Sequence, residues 1–301
     1  MRTNQAETIP DGRVKVTGKD LATLTKARLS LLVVVTTIFG YLLARKGLSL
    51  EFVRLGHVVF GTVLAAFASA VFNQLMEMRE DSRMDRTADR PLPAERIPPG
   101  LAFGIGWVLA AFGLVHLLLK VGLVPAILTA ATIAVYIFVY TPLKRRSTSN
   151  TLVGAVSGAL PPLIGWTAGG GALWSLESLF LFGLLFFWQL PHFLAINWMY
   201  REQYEKGGFV MWSNGDESGR FTANLALGFS LVMLLFMTLP FAGGFANGIY
   251  LIGALILTGY LAWLSFRFRR QPERSAARKL FFYTLIYLPL ILTLTVFTWK
   301  R

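Results

Sequence analysis

The 301-residue sequence predicts an all-α fold that crosses a membrane about nine times. Three observations carry that expectation. Hydrophobic residues make up 54% of the chain and charged residues 15%, against about 25% charged in an average soluble domain. Mean hydropathy is +0.56. The 29 Lys and Arg sit in clusters between long uncharged runs, as positive charge is distributed in multi-span membrane proteins. The net charge of +13 therefore does not indicate a soluble nucleic-acid binder, and the apolar content excludes a disordered or fibrous chain. With Cys 0, disulfides, thiolate metal sites and c-type haem attachment are excluded.

A spanning helix needs about 20 mostly apolar residues, because the hydrocarbon layer is about 30 Å thick. In order, the runs that meet this are Leu29–Ala44, Val53–Met76, Leu101–Leu119, Leu123–Tyr140, Leu152–Ala168, Leu176–Met199, Leu225–Phe241, Phe245–Phe266 and Leu280–Trp299. Residues 1–28 are polar, lack an apolar signal core and read as a cytoplasmic N-terminal arm. The polar stretches are too short to bury a core of their own, so 29–301 reads as a single transmembrane domain.

Orientation follows from the cations. Arg13, Lys15, Lys19, Lys26 and Arg28 precede the first run. Arg79, Arg83, Arg86, Arg90 and Arg96 follow the second, and Lys144, Arg145 and Arg146 the fourth. Arg201, Lys206 and Arg220 follow the sixth, and a cluster from Arg267 to Lys279 follows the eighth. All lie on one side if the N-terminus is cytoplasmic, which the positive-inside rule favours. The C-terminus then lies outside the cell, with Arg45, Lys46, Arg54 and Lys300–Arg301 as exceptions on that side.

The 16 acids are concentrated after the second run. Asn73, Glu77, Asp81 and Asp85 recur every fourth residue, a spacing that places side chains on one helix face. Arg86 and Arg90 continue the polar stretch. Closely spaced carboxylates repel one another, and a divalent cation relieves that repulsion. Oxygen ligands in such a set suit Mg²⁺, which takes one or two carboxylates plus substrate phosphates, and guanidinium groups grip phosphate oxygens in pairs. The pattern thus predicts a metal–diphosphate site built from Asn73 and two or three of these carboxylates. The bland alternative is a solvated loop whose acids and arginines pair with each other.

A second polar group lies in and after the sixth run: Trp188, Gln189, Pro191, His192 and Phe193, then Tyr200, Arg201 and Tyr204 to Gly208. A histidine beside a helix-interior proline is a candidate haem ligand, general acid/base or cation stabiliser, and equally an interhelical hydrogen-bonding residue. Tyr140 to Arg146 adds cations, which also read as a membrane-anchoring patch. His57 and His116 read as interfacial or packing residues, and the glycines between Gly154 and Gly171 as sites of close helix packing.

With these motifs the chain resembles the UbiA-type intramembrane prenyltransferases, over nearly its whole length from about Thr25. The resemblance is carried by Asn73, Glu77, Asp81, Asp85-Arg86-Thr87 and Arg90-Pro91; by Tyr140-Thr-Pro142-Leu-Lys144-Arg145; and by Trp188-Gln189-Leu-Pro191-His192-Phe193 with Tyr204 and Lys206-Gly-Gly208. The third segment matches the haem-farnesylating branch. The second Asp-x-x-x-Asp pair of the quinone-prenylating branch is missing from the segment Tyr200 to Glu205.

The resemblance implies nine helices around a central cavity open to the cytoplasm, in a cell inner membrane. It implies farnesyl diphosphate as donor and haem b as acceptor, substrate rather than cofactor, with water addition giving haem O and pyrophosphate. A haem A synthase is implied as a downstream partner. Catalytic roles fall on Asn73, Glu77, Asp81 and His192, the first three as the ligands of Mg²⁺. Arg86, Arg90, Lys144, Arg145 and Lys206 are expected on the diphosphate, and Gln189, His192 and Tyr204 in the acceptor pocket. His192 is expected to share a cleft with the acids, either on the haem iron or steering water. The competing functions are prenylation of a quinone or chlorin precursor, and a transporter that uses the acids as an ion-coupling site. Transporters place such sites near the bilayer midplane, whereas these acids stand at the cytoplasmic edge.

Overall fold

The computed structural model describes residues 16–300; Arg13, Lys15 and Arg301 lie outside them. Each apolar run is a helix. After α1 (Gly18–Leu24) come α2 (Ala27–Arg45), α3 (Phe52–Met76), α4 (Met78–Asp81), α5 (Pro99–Lys120) and α6 (Leu123–Ala134). The last of these runs into a π-helical turn, Val135–Tyr140, and then α7 (Thr141–Leu143). Next are α8 (Asn150–Ala159), α9 (Pro161–Ala168), α10 (Leu176–Met199), α11 (Arg201–Gly207), α12 (Arg220–Phe236), α13 (Leu239–Ala242), α14 (Gly248–Arg270) and α15 (Arg274–Thr298). Nine helical segments among the described residues are long and apolar enough to span a bilayer, so the chain is a multi-pass membrane protein. Phe112, Phe138 and Leu235 are 68%, 74% and 74% exposed, which suits a surface solvated by lipid rather than water.

The observed spans exceed the apolar runs mainly at their charged ends. Arg220 opens α12, Arg267 to Arg270 close α14, and Arg274 to Lys279 form the first turns of α15. An apolarity criterion drops such turns, although long cationic side chains reach the interface from them. The exceptional cation Arg54 also has a structural task. Its Nε donates to the Ala168 carbonyl at 2.8 Å and its Nη2 to the Val121 carbonyl at 2.7 Å, satisfying carbonyls at the C-terminal ends of two helices.

Three of the expected helices are interrupted, the seventh at Met237-Thr238 between α12 and α13. Thr141-Pro142 ends the fourth span in a π turn; Pro142 lacks the N–H that a regular ladder requires. Leu160-Pro161 divides the fifth span into α8 and α9. Here α2 and α9 pack closely because Gly40 and Gly165 face each other's helix: a Cβ on Gly165 would overlap the Thr37 carbonyl.

Helices α2, α3, α6, α8, α9 and α10 surround a cavity of about 310 Å³. Behind α10 stand α12, α14 and α15, and their contact buries the main apolar core, including Phe180, Leu184, Tyr250, Phe268 and Tyr287. The described part of the N-terminal arm folds against the bundle. In α1, Thr17 and Asp20 form a capping box. Asp20 then pairs with Arg96 at 2.8 Å, and Leu24 packs on Val71, Leu92 and Ile97.

Candidate active site

The acidic ladder has three rungs. Helix α3 loses regularity at Glu77, yet the four-residue spacing holds: Glu77 N–H donates to the Asn73 carbonyl at 3.0 Å and Asp81 N–H to the Glu77 carbonyl at 2.8 Å. Asn73, Glu77 and Asp81 therefore stay on one face, all at or below 3% exposure. The chain then turns. Asp85 leaves the face and binds Gln203 and Lys206 at 2.8 and 3.1 Å, tying the polar loop to α11. The expected fourth rung is thus a surface latch, because the helix stops at Asp81.

Each rung meets a cation. Glu77 Oε1 pairs with Lys144 Nζ at 2.7 Å, and Asp81 Oδ2 with Arg90 Nη1 at 2.5 Å. Asn73 is held by the π turn. Its Nδ2 donates to Thr141 Oγ1 at 3.1 Å, and that hydroxyl donates to the Tyr136 carbonyl at 2.8 Å. The amide oxygen is thereby turned to Lys26 Nζ at 2.5 Å. Lys26 adopts a left-handed backbone (φ +46°), uncommon for a side chain of this type. Gln74 Nε2 holds the preceding turn through the Thr23 and Leu24 carbonyls at 2.7 and 3.0 Å. Beside the ladder, Arg145 pairs with Glu80 at 2.7 Å and donates to the Met76 carbonyl.

Burial and neighbouring charge compete at each group of the cluster. Burial pushes Lys26 down to about 7, with Glu77 opposing. It pushes the Glu77 carboxyl up, but Lys144 and Lys26 outweigh it and leave that group below the usual carboxylate range. For Asp81 burial wins over Arg90 and the carboxyl is raised. For Lys144 the attraction of Glu77 wins and the ammonium is held more firmly than usual.

The cluster stands at the head of the cavity. Lys26, Tyr136 and Tyr140 line the cavity wall, and Lys144 lies 4.6 Å from the Tyr140 ring centroid. Deeper in, the wall includes Leu29, Val33, Ile133, Ile164, Gln189 and Phe193. A charged head and an apolar body match an amphiphile with an anionic end.

A scan against protein families matches residues 33–286 to the UbiA prenyltransferase family. The chain belongs to that family. This prenyltransferase is 42% identical over 274 residues to a protein from Opitutus terrae named protoheme IX farnesyltransferase, covering 91% of the chain and 92% of the relative. Its fold resembles that of a digeranylgeranylglyceryl phosphate synthase structure, with TM-score 0.78, 16% identity and coverage of 93% and 97%. It also resembles a UbiA homologue from Archaeoglobus fulgidus bound to GPP and Mg²⁺, with TM-score 0.64, 11% identity and coverage of 91% and 99%.

Several residues expected at the site of this prenyltransferase lie elsewhere. Arg86 sits over the rings of Tyr200 and Tyr204, at 4.9 and 4.6 Å from their centroids, and lines a separate cleft with Asp85 and Arg274. Lys206 is on Asp85, and Tyr204 packs on Phe209 with ring centroids 6.2 Å apart. Gln189 does line the cavity, and Gly158 leaves room for its amide: a Cβ there would overlap it. His192 is not in the cavity wall. It turns toward α15, where its Nδ1 meets Thr284 Oγ1 at 2.7 Å, because one residue along a helix rotates a side chain by about 100° from Phe193. Residue patterning missed Lys26 as a site group and Thr141 altogether. The available signal for Lys26 was its place as the last cation but one before an apolar run.

Proposed function

We propose that the chain transfers the farnesyl group of farnesyl diphosphate to a vinyl group of haem b. Water is added in the reaction, which yields haem O and pyrophosphate. The observation that carries this reading is near full-length similarity to a protoheme IX farnesyltransferase, joined to a cation-rich polar cluster at the head of an apolar cavity. We place the cluster and the N-terminal arm on the cytoplasmic side of a cell inner membrane, with residues 29–301 acting as one catalytic domain. A haem A synthase would consume the product.

The donor set suits Mg²⁺. Asn73, Glu77 and Asp81 offer buried oxygens only, the hard ligands this ion prefers. The Archaeoglobus fulgidus homologue was solved with GPP and Mg²⁺, a precedent for this pairing. Bound there, Mg²⁺ would supply Lewis acidity and charge neutralisation at the diphosphate.

The chain's own groups do the rest. Lys26, Lys144 and Arg90 each turn from an oxygen of the ladder to the diphosphate, where they stabilise the charge that develops as the allylic C1–O bond breaks. The bond's electron pair leaves with pyrophosphate. Tyr136 and Tyr140 present ring faces to the allylic cation, and the apolar wall below keeps water from it. The vinyl π electrons form the new bond to C1; water oxygen then adds to the resulting cation and a proton is released. Gln189 and His192 serve the acceptor side.

The test is mass spectrometry of purified protein in nanodiscs given haem b and farnesyl diphosphate, with and without Mg²⁺. A Mg²⁺-dependent hydroxyethylfarnesyl haem is expected. Release of pyrophosphate only with a quinone or chlorin acceptor would transfer the assignment to that branch, and metal-independent solute uptake without pyrophosphate would refute it.

A further inference from the structure

The cavity beneath the polar cluster has a closed end. Thr62 of α3, Thr129 of α6 and Ile164 of α9 line it and are at most 2% exposed, so every other side of them is packed. One turn further from the cluster, the same three helices place Val58, Ala126 and Ala168 in a single buried apolar cluster. Three helices therefore stop the cavity together, above a common plug. Wall and floor also differ in kind. Along the face of α3 that lines the cavity, Ala66 and Ala70 leave room. Thr62, Thr129 and Ile164 are β-branched, and such side chains have few χ1 choices in a helix, so the floor does not yield by a change of rotamer.

Helix geometry sets the depth of that floor. Eleven residues separate Thr62 from Asn73 on α3, about 16 Å at about 1.5 Å per residue. The same number separates Thr129 from Tyr140 on the fourth span, where Tyr140 stands beside Lys144. Ala70, Ala66 and Thr62 mark three successive turns of α3 away from Asn73. An extended isoprene unit is four carbon–carbon bonds long and advances about as far as one such turn, about 5 Å. Three units reach from the polar cluster to the floor, and a fourth would have to displace Val58, Ala126 and Ala168. Resting on the prenyl-transfer reading above, we propose that Thr62, backed by Thr129 and Ile164, fixes the length of the donor at three isoprene units. Thr62 is the specificity-determining residue, because it ends the row that the prenyl chain follows. A leucine in its place occupies the position of the third unit, and a leucine in place of Ala66 that of the second. A residue that only packs the bundle would affect donors of every length alike.

The test is a competition. Purified full chain in nanodiscs is given Mg²⁺, haem b and an equimolar mixture of dimethylallyl, geranyl, farnesyl and geranylgeranyl diphosphates, and the prenylated haems are quantified by mass spectrometry. Their ratio does not depend on how much of the protein is folded, so a loss of fold alone does not move it. Wild type should prefer farnesyl to geranylgeranyl by at least about 10-fold, the scale on which a closed apolar pocket discriminates added carbons. T62L should shift the ratio of geranyl to farnesyl product by about 10- to 200-fold toward geranyl, and A66L should exclude geranyl too while still accepting dimethylallyl. The double variant V58A/T62A deepens the floor by a turn and should raise geranylgeranyl transfer relative to farnesyl by a similar factor. Unchanged product ratios in T62L and in V58A/T62A would overturn the proposal and leave the transfer reading standing, as would equal use of farnesyl and geranylgeranyl by wild type. Thermal unfolding with each diphosphate and no haem separates the other failure. If no haem product forms, yet stabilisation ranks with chain length and shifts in T62L, the acceptor assignment fails and the length assignment stands. If no prenyl diphosphate stabilises wild type, both fall.

Discussion

Replacing Lys26 with methionine is predicted to move stability and turnover in opposite directions. Lys26 is the one ladder cation whose partner is uncharged: its Nζ meets the Asn73 amide oxygen at 2.5 Å, whereas Lys144 and Arg90 meet carboxylates. Burial lowers its affinity for a proton from an ordinary 10.5 to about 7. Since each pH unit corresponds to about 1.4 kcal/mol, keeping this ammonium charged costs on the order of a few kcal/mol, less whatever water at the cavity mouth recovers. Methionine has similar length and no such cost, so K26M should unfold at the same or a higher temperature. Catalysis should suffer, because among the described residues the lysine is the one cation that lines the cavity wall. Loss of one preorganised stabilising group at a reacting centre lowers kcat by about 100- to 1000-fold. The assay is single-turnover pyrophosphate release in nanodiscs, alongside thermal unfolding of the same preparation. Turnover within about threefold of wild type, or a clearly lower unfolding temperature with turnover lost, would refute the assignment of Lys26 to the diphosphate.

Asp81 and Asp85 occupy equivalent sequence spacing and opposite environments, at the buried Arg90 pair and the exposed Lys206 pair; D81N should lower kcat/KM by at least about 100-fold and D85N by no more than a few-fold, read as initial rates at limiting donor. The Asp20 carboxyl is pushed up by burial but held lower overall by the Thr17 hydroxyl and Arg96. Its stabilisation of α1 should therefore be complete above the unfolded carboxylate value of about 3.9 and be lost as pH falls through the lower folded value. Protease sensitivity near residues 17–26, measured between pH 6 and 3, should rise in wild type and stay flat in D20N. G165L should separate α2 from α9, where a side chain meets the Thr37 carbonyl, and lower the yield of folded protein in detergent; unchanged unfolding temperature would contradict the close packing described.

How much of this was legible in the sequence depended on how local the governing physics is. Span number follows from desolvation of about 20 consecutive residues, a local sum, and all nine spans appear. The ladder through Asp81 follows from helical spacing, which persists across the irregular Glu77. Its expected continuation to Asp85 and Arg86 failed because the same spacing carries no signal of where the helix stops. Arg90 reaches Asp81 by a return of the loop, fastened by the Thr87 hydroxyl on the Asp81 carbonyl at 2.8 Å, not by continuing the helix. Lys26 and Thr141 join the ladder through contacts 47 and 68 residues apart in the chain, and no periodicity encodes those. His192 was identified as a polar residue of interest, but its direction depends on Thr284, 92 residues away.

The ion pairs of the cluster also bear on how so many charges are tolerated at the head of an apolar cavity. Left alone, two buried carboxylates and three cations at the head of an apolar cavity would each carry a desolvation cost of several kcal/mol. Pairing Glu77 with Lys144 and Asp81 with Arg90 cancels most of it and holds the oxygens in register on one helix face. The pairing also crosses elements: Lys144 and Arg90 come from the fourth-span exit and the polar loop, not from the ladder's own helix. Under the proposed function, an arriving diphosphate with a divalent cation would exchange partners within the cluster, cation to phosphate and carboxylate to metal, without leaving a paired charge bare. On that reading, removing a carboxylate would break the exchange in both states, since its cation would be unpaired without substrate and the metal under-ligated with it. Removing Lys26, whose partner is the uncharged Asn73 amide, would break it only with substrate bound, which is why the lysine, rather than an acid, should separate catalysis from folding.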